Sequence, residues 1–263
     1  MPLAAALGID LLPFPGAALS PAAVREPAAT CALSGGRGGE GAADLRLAQL
    51  LCARVCHDLI GAAGAIETGV DLLAEDSADQ ADIFDLIGLS GRQLNRRLAF
   101  YRLAFGMTGQ AGDTRPVAEA RRLAEGFLDG GRVTLRWRVE GETPEEGRIG
   151  ANETRLLLCA ILVAAEGLRR GGVLSVRLER SGTGTMLVLD GVGRDAAIAD
   201  AAGVALSAGA GLDAVTARTV PAYYLGLQLG NLAAELAVEE IREGFRLRIA
   251  VPNAKVLSAA EED

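Results

Sequence analysis

The sequence predicts an α+β protein: a two-helix hairpin that dimerises into a four-helix bundle, followed by an α/β sandwich. Three observations lead there. Apolar residues recur at steps of three and four from residue 44 to residue 105, in two runs separated by Glu75-Asp76-Ser77. From Arg115 onward the texture changes, and short alternating runs appear among the helical ones. Most of those alternating runs come as turn-linked pairs, the pattern of a mostly antiparallel sheet with helices laid against it.

Composition bounds the function. Half of the 263 residues are hydrophobic, so a sizeable core is available. Aromatics are only 4%, while alanine and glycine are plentiful, which points to close helix approach rather than large interlocking side chains. A net charge of −8 argues against nucleic acid as a partner, because phosphate contacts need a basic footprint. No apolar run reaches membrane-spanning length and the start of the chain lacks a basic signal-like segment, so the protein is read as cytoplasmic with no membrane partner. The four cysteines, Cys31, Cys52, Cys56 and Cys159, form no disulfide framework. Cys52, Cys56 and His57 read C-x-x-x-C-H, one residue too long for haem attachment, and no second ligand pair stands at a zinc spacing. Cys52 and Cys56 are therefore expected to pack inside the bundle, and no metal or cofactor is assigned to this chain.

Residues 1–42 are rich in Ala, Pro and Gly and hold no period, so they are read as a disordered leader. Residues 43–110 form the hairpin. Its first helix, capped by Asp44 or a neighbour, carries the stripe Leu47, Leu51, Val55, Leu59 (or Ala62), Ile66, Val70 and Leu73. The second, from about residue 78 to 105, carries Ile83, Ile87, Leu94, Leu98, Tyr101 and Phe105. Two helices alone leave their stripes half wet, which predicts a homodimer; the alternative is cover from the C-terminal half. Residues 111–253 form the sandwich. Residues 116–128 read as a helix, 132–139 as a strand with one buried face, 140–150 as a polar loop and 153–169 as a buried helix. Residues 173–179 and 185–190 pair as a hairpin around Ser181-Gly182-Thr183-Gly184. Residues 195–202 are read as helical, and 216–236 as a helix with Pro221 early in it or at its start. Strands 237–242 and 245–251 close the domain, and 254–263 are a flexible tail.

His57 is the only histidine, hence the one obvious group for chemistry near neutral pH. On a helix, Val55 and Leu59 each lie about 200° from it, so if they face the core His57 faces out. Arg54 lies one turn before it, Gly61 and Gly64 one and two turns after. Glycine inside a helix costs roughly 1 kcal/mol against alanine. Two roles answer that cost: access, a bare surface that lets another protein bring its reactive group to the ring, or tight helix-helix packing of small residues, which Ala62, Ala63 and Ala65 also fit; the position of Gly61 beside His57 favours access. A neutral imidazole has one lone pair able to attack phosphorus, and phosphoryl transfer is mostly positioning and charge neutralisation. Asp58 is placed to hold one ring N–H and so fix the tautomer. Arg54, with Arg92 and Arg96 on the second helix, is a candidate for offsetting phosphoryl charge or meeting an acidic partner surface.

His57-Asp58-Leu59-Ile60, on the first helix of a hairpin, resembles the phosphoacceptor box of dimeric sensor histidine kinases. The second half resembles their ATP-binding domain in degenerate form. Leu157 to Gly167 is similar to the kinase N-box, with Ala164 in place of the metal-binding asparagine; Asp190-Gly191-Val192-Gly193-Arg194 is similar to the D-x-G-x-G box out of register; Leu225-Gly226-Leu227 is similar to the later glycine box without the lid before it. With Arg54 to Ile60 (R-V-C-H-D-L-I) and Phe100 to Gly106 (F-Y-R-L-A-F-G), the chain is identified as similar to the ChpT family of histidine phosphotransferases over roughly residues 44–252. The resemblance implies a phosphoryl carrier on His57, CckA-like hybrid-kinase receivers as donors, and CtrA-like and CpdR-like receivers as acceptors. It implies Mg²⁺ in the partner receiver and none in this chain. Two departures stand out: Ala62 where proline is common, and Gly61 where kinases with phosphatase activity often carry Thr or Asn, which favours relay over hydrolysis. The competing readings are an active ATP-dependent kinase core, opposed by Ala164, and a non-catalytic adaptor.

Overall fold

Apolar stripes at helical spacing drive the first half of the chain into two long helices, and the second half folds a five-stranded sheet against four more. The computed structural model describes residues 38–74, 80–106, 113–140, 147–181, 184–207 and 210–252. The leader up to residue 37 with its Cys31, the turns at 75–79 and 107–112, and the tail lie outside the described residues. Residues 38–42, expected in the leader, instead belong to α1 (Gly38–Ala74). They contain no proline, and Glu40, Ala42 and Ala43 are good helix formers.

The second helix of the hairpin is α2 (Gln80–Ala104). It runs antiparallel to α1, because Arg97 and Tyr101 reach Asp58 while Ile83 and Ile87 lie against Gly69. The stripe is only partly covered within the chain. Ile83 and Tyr101 are buried, Leu47, Leu51, Leu59, Ile66 and Ile87 are half-buried, and Val70 and Leu98 are exposed. The end of α2 enters the core of the second half: Phe100, Leu103 and Ala104 are buried, and the Phe100 ring stacks on Phe127 at 4.1 Å. The C-terminal half thus covers the last turns of α2, the second of the two kinds of cover that the sequence allows.

Strand β1 (Thr114–Pro116) leads directly into α3 (Val117–Leu128), with Pro116 at the cap, and β2 (Val133–Glu140) follows. The expected polar loop contains a short strand, β3 (Arg148–Gly150), antiparallel to β1. Its one apolar residue, Ile149, is fully buried, a signal too short to carry a strand period. Helix α4 (Ala151–Gly167) starts where the Gly150 N–H donates to the Glu153 carboxylate at 2.9 Å, and residues 156–164 are buried on every side. It packs against α2, α3 and the sheet. Strands β4 (Gly172–Ser181) and β5 (Gly184–Val192) form the expected hairpin.

The next helix begins later than its sequence suggested: α5 covers Asp200–Leu206. Asp195 takes a left-handed turn conformation (φ 53°) and pairs with Arg170, which keeps residues 195–199 out of the helix. The following helix is shorter than expected: α6 covers Val220–Asn231. Pro221 sits in its first turn, where a missing N–H costs nothing, and Ala233 (φ 47°) turns the chain out before β6 (Glu235–Ile241). Strand β7 (Gly244–Pro252) completes a sheet ordered β2-β4-β5-β7-β6, parallel between β2 and β4 and antiparallel elsewhere. Its inner face, including Leu174, Val176, Leu187, Leu189, Leu247 and Ile249, packs against the helices. This is the α+β architecture that the segregated patterns predict.

Two glycines make room for one ring. A Cβ on Gly191 would lie 2.3 Å from the Phe245 ring, and one on Gly167 would lie 2.7 Å from it. Gly191→Ala should therefore lower stability by about 1–3 kcal/mol through overpacking of a fully enclosed site. Urea unfolding measures this, and Phe245→Leu in the same chain should restore most of the loss.

Candidate functional site

His57 stands on α1 with its side chain 82% exposed, as the phase of Val55 and Leu59 requires. Val55 packs against the core and Leu59 is half-buried. The neighbour of the ring is Asp58, whose Oδ1 lies 3.0 Å from His57 Nδ1. The other oxygen, Oδ2, accepts from Arg54 Nε at 2.9 Å and from the Tyr101 hydroxyl, while Arg97 donates to the Asp58 backbone carbonyl. Burial alone would raise the Asp58 pKa; the hydrogen bonds from Tyr101 and His57 and the charge of Arg54 outweigh it and hold the carboxyl below the usual aspartate range. An ionised carboxylate only accepts, so a neutral ring that bonds to it does so through a proton on Nδ1, which leaves the lone pair on Nε2.

Arg54 is not a free cation. Its side chain is 13% exposed, and beyond Asp58 it forms an ion pair with Glu166 near the end of α4. Burial would lower the Arg54 pKa, but Glu166 and Asp58 together raise it further above the arginine range. Asp58 and burial likewise push the Tyr101 hydroxyl well above the usual tyrosine value, burial contributing most. Tyr101 and its neighbour Phe105 stack at 5.3 Å, which fixes the phenol over the carboxylate. An open cleft of about 450 Å³ lies beside the ring, lined by Arg54, His57, Asp58, Glu166, Arg169, Ala217 and Arg218. Arg169 and Arg218 are exposed, and among the described residues neither forms an ion pair.

The sequence-derived residues divide into two groups. Arg54, His57 and Asp58 come together in one network. Gly61 and Gly64 follow on α1, and a Cβ at either would meet nothing within 4 Å, so no packing among the described residues demands a glycine there. Arg92 and Arg96 do not line the His57 cleft. Arg92 is exposed and lies along α2 beside Gly88; Arg96 pairs with Asp129 on the α3 side. Cys52 and Cys56, expected to pack, are exposed in the single chain, and among the described residues only Cys159 is a buried cysteine. Tyr101, Arg97, Glu166, Arg169 and Arg218 are the contributors that the sequence reading missed. Tyr101 was absorbed into the apolar stripe. Glu166 did carry a signal, being the only charged residue in positions 156–167.

The groups that could hold a nucleotide are otherwise engaged. Ala164 is fully buried and has no polar atom to offer. Asp190 sits on the sheet face opposite the core, where Arg246 holds it at 2.6 and 3.0 Å and Arg177 at 3.3 Å. Phe245 fills the space over Gly167 and Gly191.

Known proteins resemble this chain in sequence and fold. Residues 117–244 match the family described as "Histidine phosphotransferase C-terminal domain". The chain is 38% identical over 152 residues to the protein phosphotransferase ChpT of Brucella abortus (strain 2308), covering 57% of this chain and 69% of that one. A solved structure described as a bacterial phosphotransferase superposes with a TM-score of 0.68 at 30% identity, covering 78% of this chain and 96% of the other. Fold and likeness together define a histidine phosphotransferase of a phosphorelay. The chain belongs to the ChpT family.

The depressed Asp58 pKa sets a stability window. A folded-state pKa below the unfolded value, about 3.9, gives stabilisation that is complete above that value and disappears as pH falls through the folded one. The advantage of the wild type over Asp58→Asn in urea midpoint should be flat from pH 7 to about 5 and shrink below about 4. An advantage that persists unchanged to pH 2 would contradict the depressed value.

Proposed function

We propose that His57 is the phosphoacceptor of this phosphotransferase. Nε2 attacks the phosphorus of an aspartyl phosphate on a donor receiver; the N–P bond forms as the P–O bond breaks, and the aspartate leaves as a carboxylate. The same bond is then broken by an aspartate of a second receiver, which regenerates the imidazole. Asp58 keeps the proton on Nδ1 through both steps and offsets the positive charge that develops on the ring. The observation that carries this reading is the pairing of an exposed ring with a half-buried carboxylate that lies 3.0 Å from its Nδ1 and accepts from Arg54 and Tyr101 on its other oxygen. Gly61 and Gly64 leave the neighbouring surface open to a docking protein. Arg169 and Arg218 add positive charge to the cleft, complementary to a phosphoryl group and to an acidic receiver pocket. Arg92 and Arg96, farther along α2, are proposed as peripheral docking contacts.

The partners that fit are the receiver domain of a CckA-like hybrid kinase as donor and CtrA-like and CpdR-like regulators as acceptors. The receiver brings its own Mg²⁺, which neutralises the phosphoryl oxygens; this chain supplies the ring and the docking face. The engagement of Asp190 and the apolar character of Ala164 support charging by another protein rather than by ATP. No helix among the described residues is long and apolar enough to cross a membrane, in keeping with a cytoplasmic carrier. We also propose the homodimer. On α1 and α2, Ile60, Val70, Phe84, Leu86 and Leu89 are exposed in the single chain, and a four-helix bundle would cover apolar surface of this kind.

Incubation with a phosphorylated donor receiver should label the wild-type protein, and His57→Ala should take no label; label on the variant would remove His57 from the mechanism. Phe84→Glu with Leu89→Glu should convert the dimer to a folded monomer by sedimentation. A wild type that already sediments as a monomer at micromolar concentration would rule out the dimer.

A further inference from the structure

Glu166 is the one charge in an otherwise apolar stretch of α4, and it lies at the junction of the two halves of the protein. Its Oε1 is fully withdrawn from solvent and pairs with the Arg54 guanidinium by charge, with no hydrogen-bond donor aligned on it among the described residues. Arg54 is thereby spread between two carboxylates, one on its own helix and one on α4. The labour at Asp58 is divided: Oδ2 takes Arg54 and Tyr101, and Oδ1 is kept for the ring. Among the described residues, Glu166 is the one carboxylate besides Asp58 that forms an ion pair with Arg54. Burial, only partly opposed by Arg54, pushes the Glu166 carboxyl above the usual glutamate range.

We propose that Glu166 is a positioning residue for phosphoryl transfer: it fixes Arg54, Arg54 fixes the Asp58 carboxylate, and Asp58 holds the Nδ1 proton so that Nε2 remains the outward-facing nucleophile. This rests on His57 being the phosphoacceptor. The C-terminal half then does more than shape a docking surface, because one of its side chains sets the ring tautomer. Without Glu166 the guanidinium has one carboxylate left, closes on Asp58, and draws Oδ1 away from the ring. The two nitrogens then share the proton, and only part of the protein presents a lone pair on Nε2.

The single histidine makes the test clean, because ¹⁵N spectra of the full chain contain one imidazole. The wild type should show one tautomer with Nδ1 protonated. Glu166→Gln, which keeps the shape and removes the charge, should show a mixture of tautomers. Its transfer rate at saturating phosphorylated receiver should fall about tenfold, the scale typical when a histidine loses an outer hydrogen-bonding partner. The KM for the receiver should stay within about twofold and the melting temperature should not drop. Arg54→Lys should move the ring and the rate in the same direction, because a point charge cannot bridge two carboxylates as the guanidinium fork does. Arg170→Gln, an exposed change nearby on the same half, should leave both readings unchanged. A single wild-type tautomer and an undiminished saturating rate in both site variants would overturn the proposal, as would a loss confined to KM. A large fall in melting temperature in Glu166→Gln, with Arg54→Lys behaving as wild type, would make Glu166 structural and overturn it too. In each of these cases loss of labelling in His57→Ala still upholds the acceptor assignment.

Discussion

A carboxylate with 15% of its side-chain surface left to water needs donors, and Asp58 has four groups around it: Arg54, Tyr101 and the ring on its side chain, and Arg97 on its carbonyl. Much else in the molecule follows from satisfying it. Tyr101 and Arg97 must come from α2 at the level of Asp58, which fixes the register of the hairpin. Arg54 must be held from the other side, and Glu166 does this from α4, which ties the hairpin to the sandwich. His57, by contrast, needs no burial at all. The rigid parts of the site lie beneath the ring, and the ring itself stays in solvent where another protein can reach it.

The second half of the chain is consistent with that division. Helix α4 is buried around its whole circumference from residue 156 to residue 164, and the first charge after that stretch is Glu166 near its end. The position where a nucleotide-binding helix would offer an amide is a buried alanine, and the acidic residue of the glycine-rich stretch is neutralised by two arginines across β4 and β7. The interior over Gly191 is taken by an aromatic ring. A helix and sheet of this kind therefore act as a platform for the hairpin, and the contribution to chemistry comes from the platform's edge.

Much of this was legible in the sequence because it rests on local periodicity. The stripe containing Val55 and Leu59 put His57 on the outside, adjacency put Asp58 beside it, and alternation located the paired strands. What escaped were pairings over long sequence distances. Arg54 looked like a free surface cation because its partner is more than a hundred positions away, and Arg96 looked like a site residue because helical phase alone does not say that Asp129 will meet it. Local turn geometry was also hidden: the left-handed conformations of Asp195 and Ala233 moved one helix boundary and shortened another helix, and neither residue type announces that geometry. The short β3 had one apolar residue, too few for any period.

The bare surface after His57 has a consequence for how a relay through this protein is ordered. One ring, one adjoining cleft and one open stretch of helix serve whichever receiver arrives, so on the proposed assignment a chain has no second berth for the next one. Donor and acceptor must take turns, as in a ping-pong exchange, and each must depart before the other can bind. The carrier then contributes no preference of its own for forward or backward flow. Direction is set by which receivers are present and how fully each is charged, and every receiver that shares the berth is a competitor of every other.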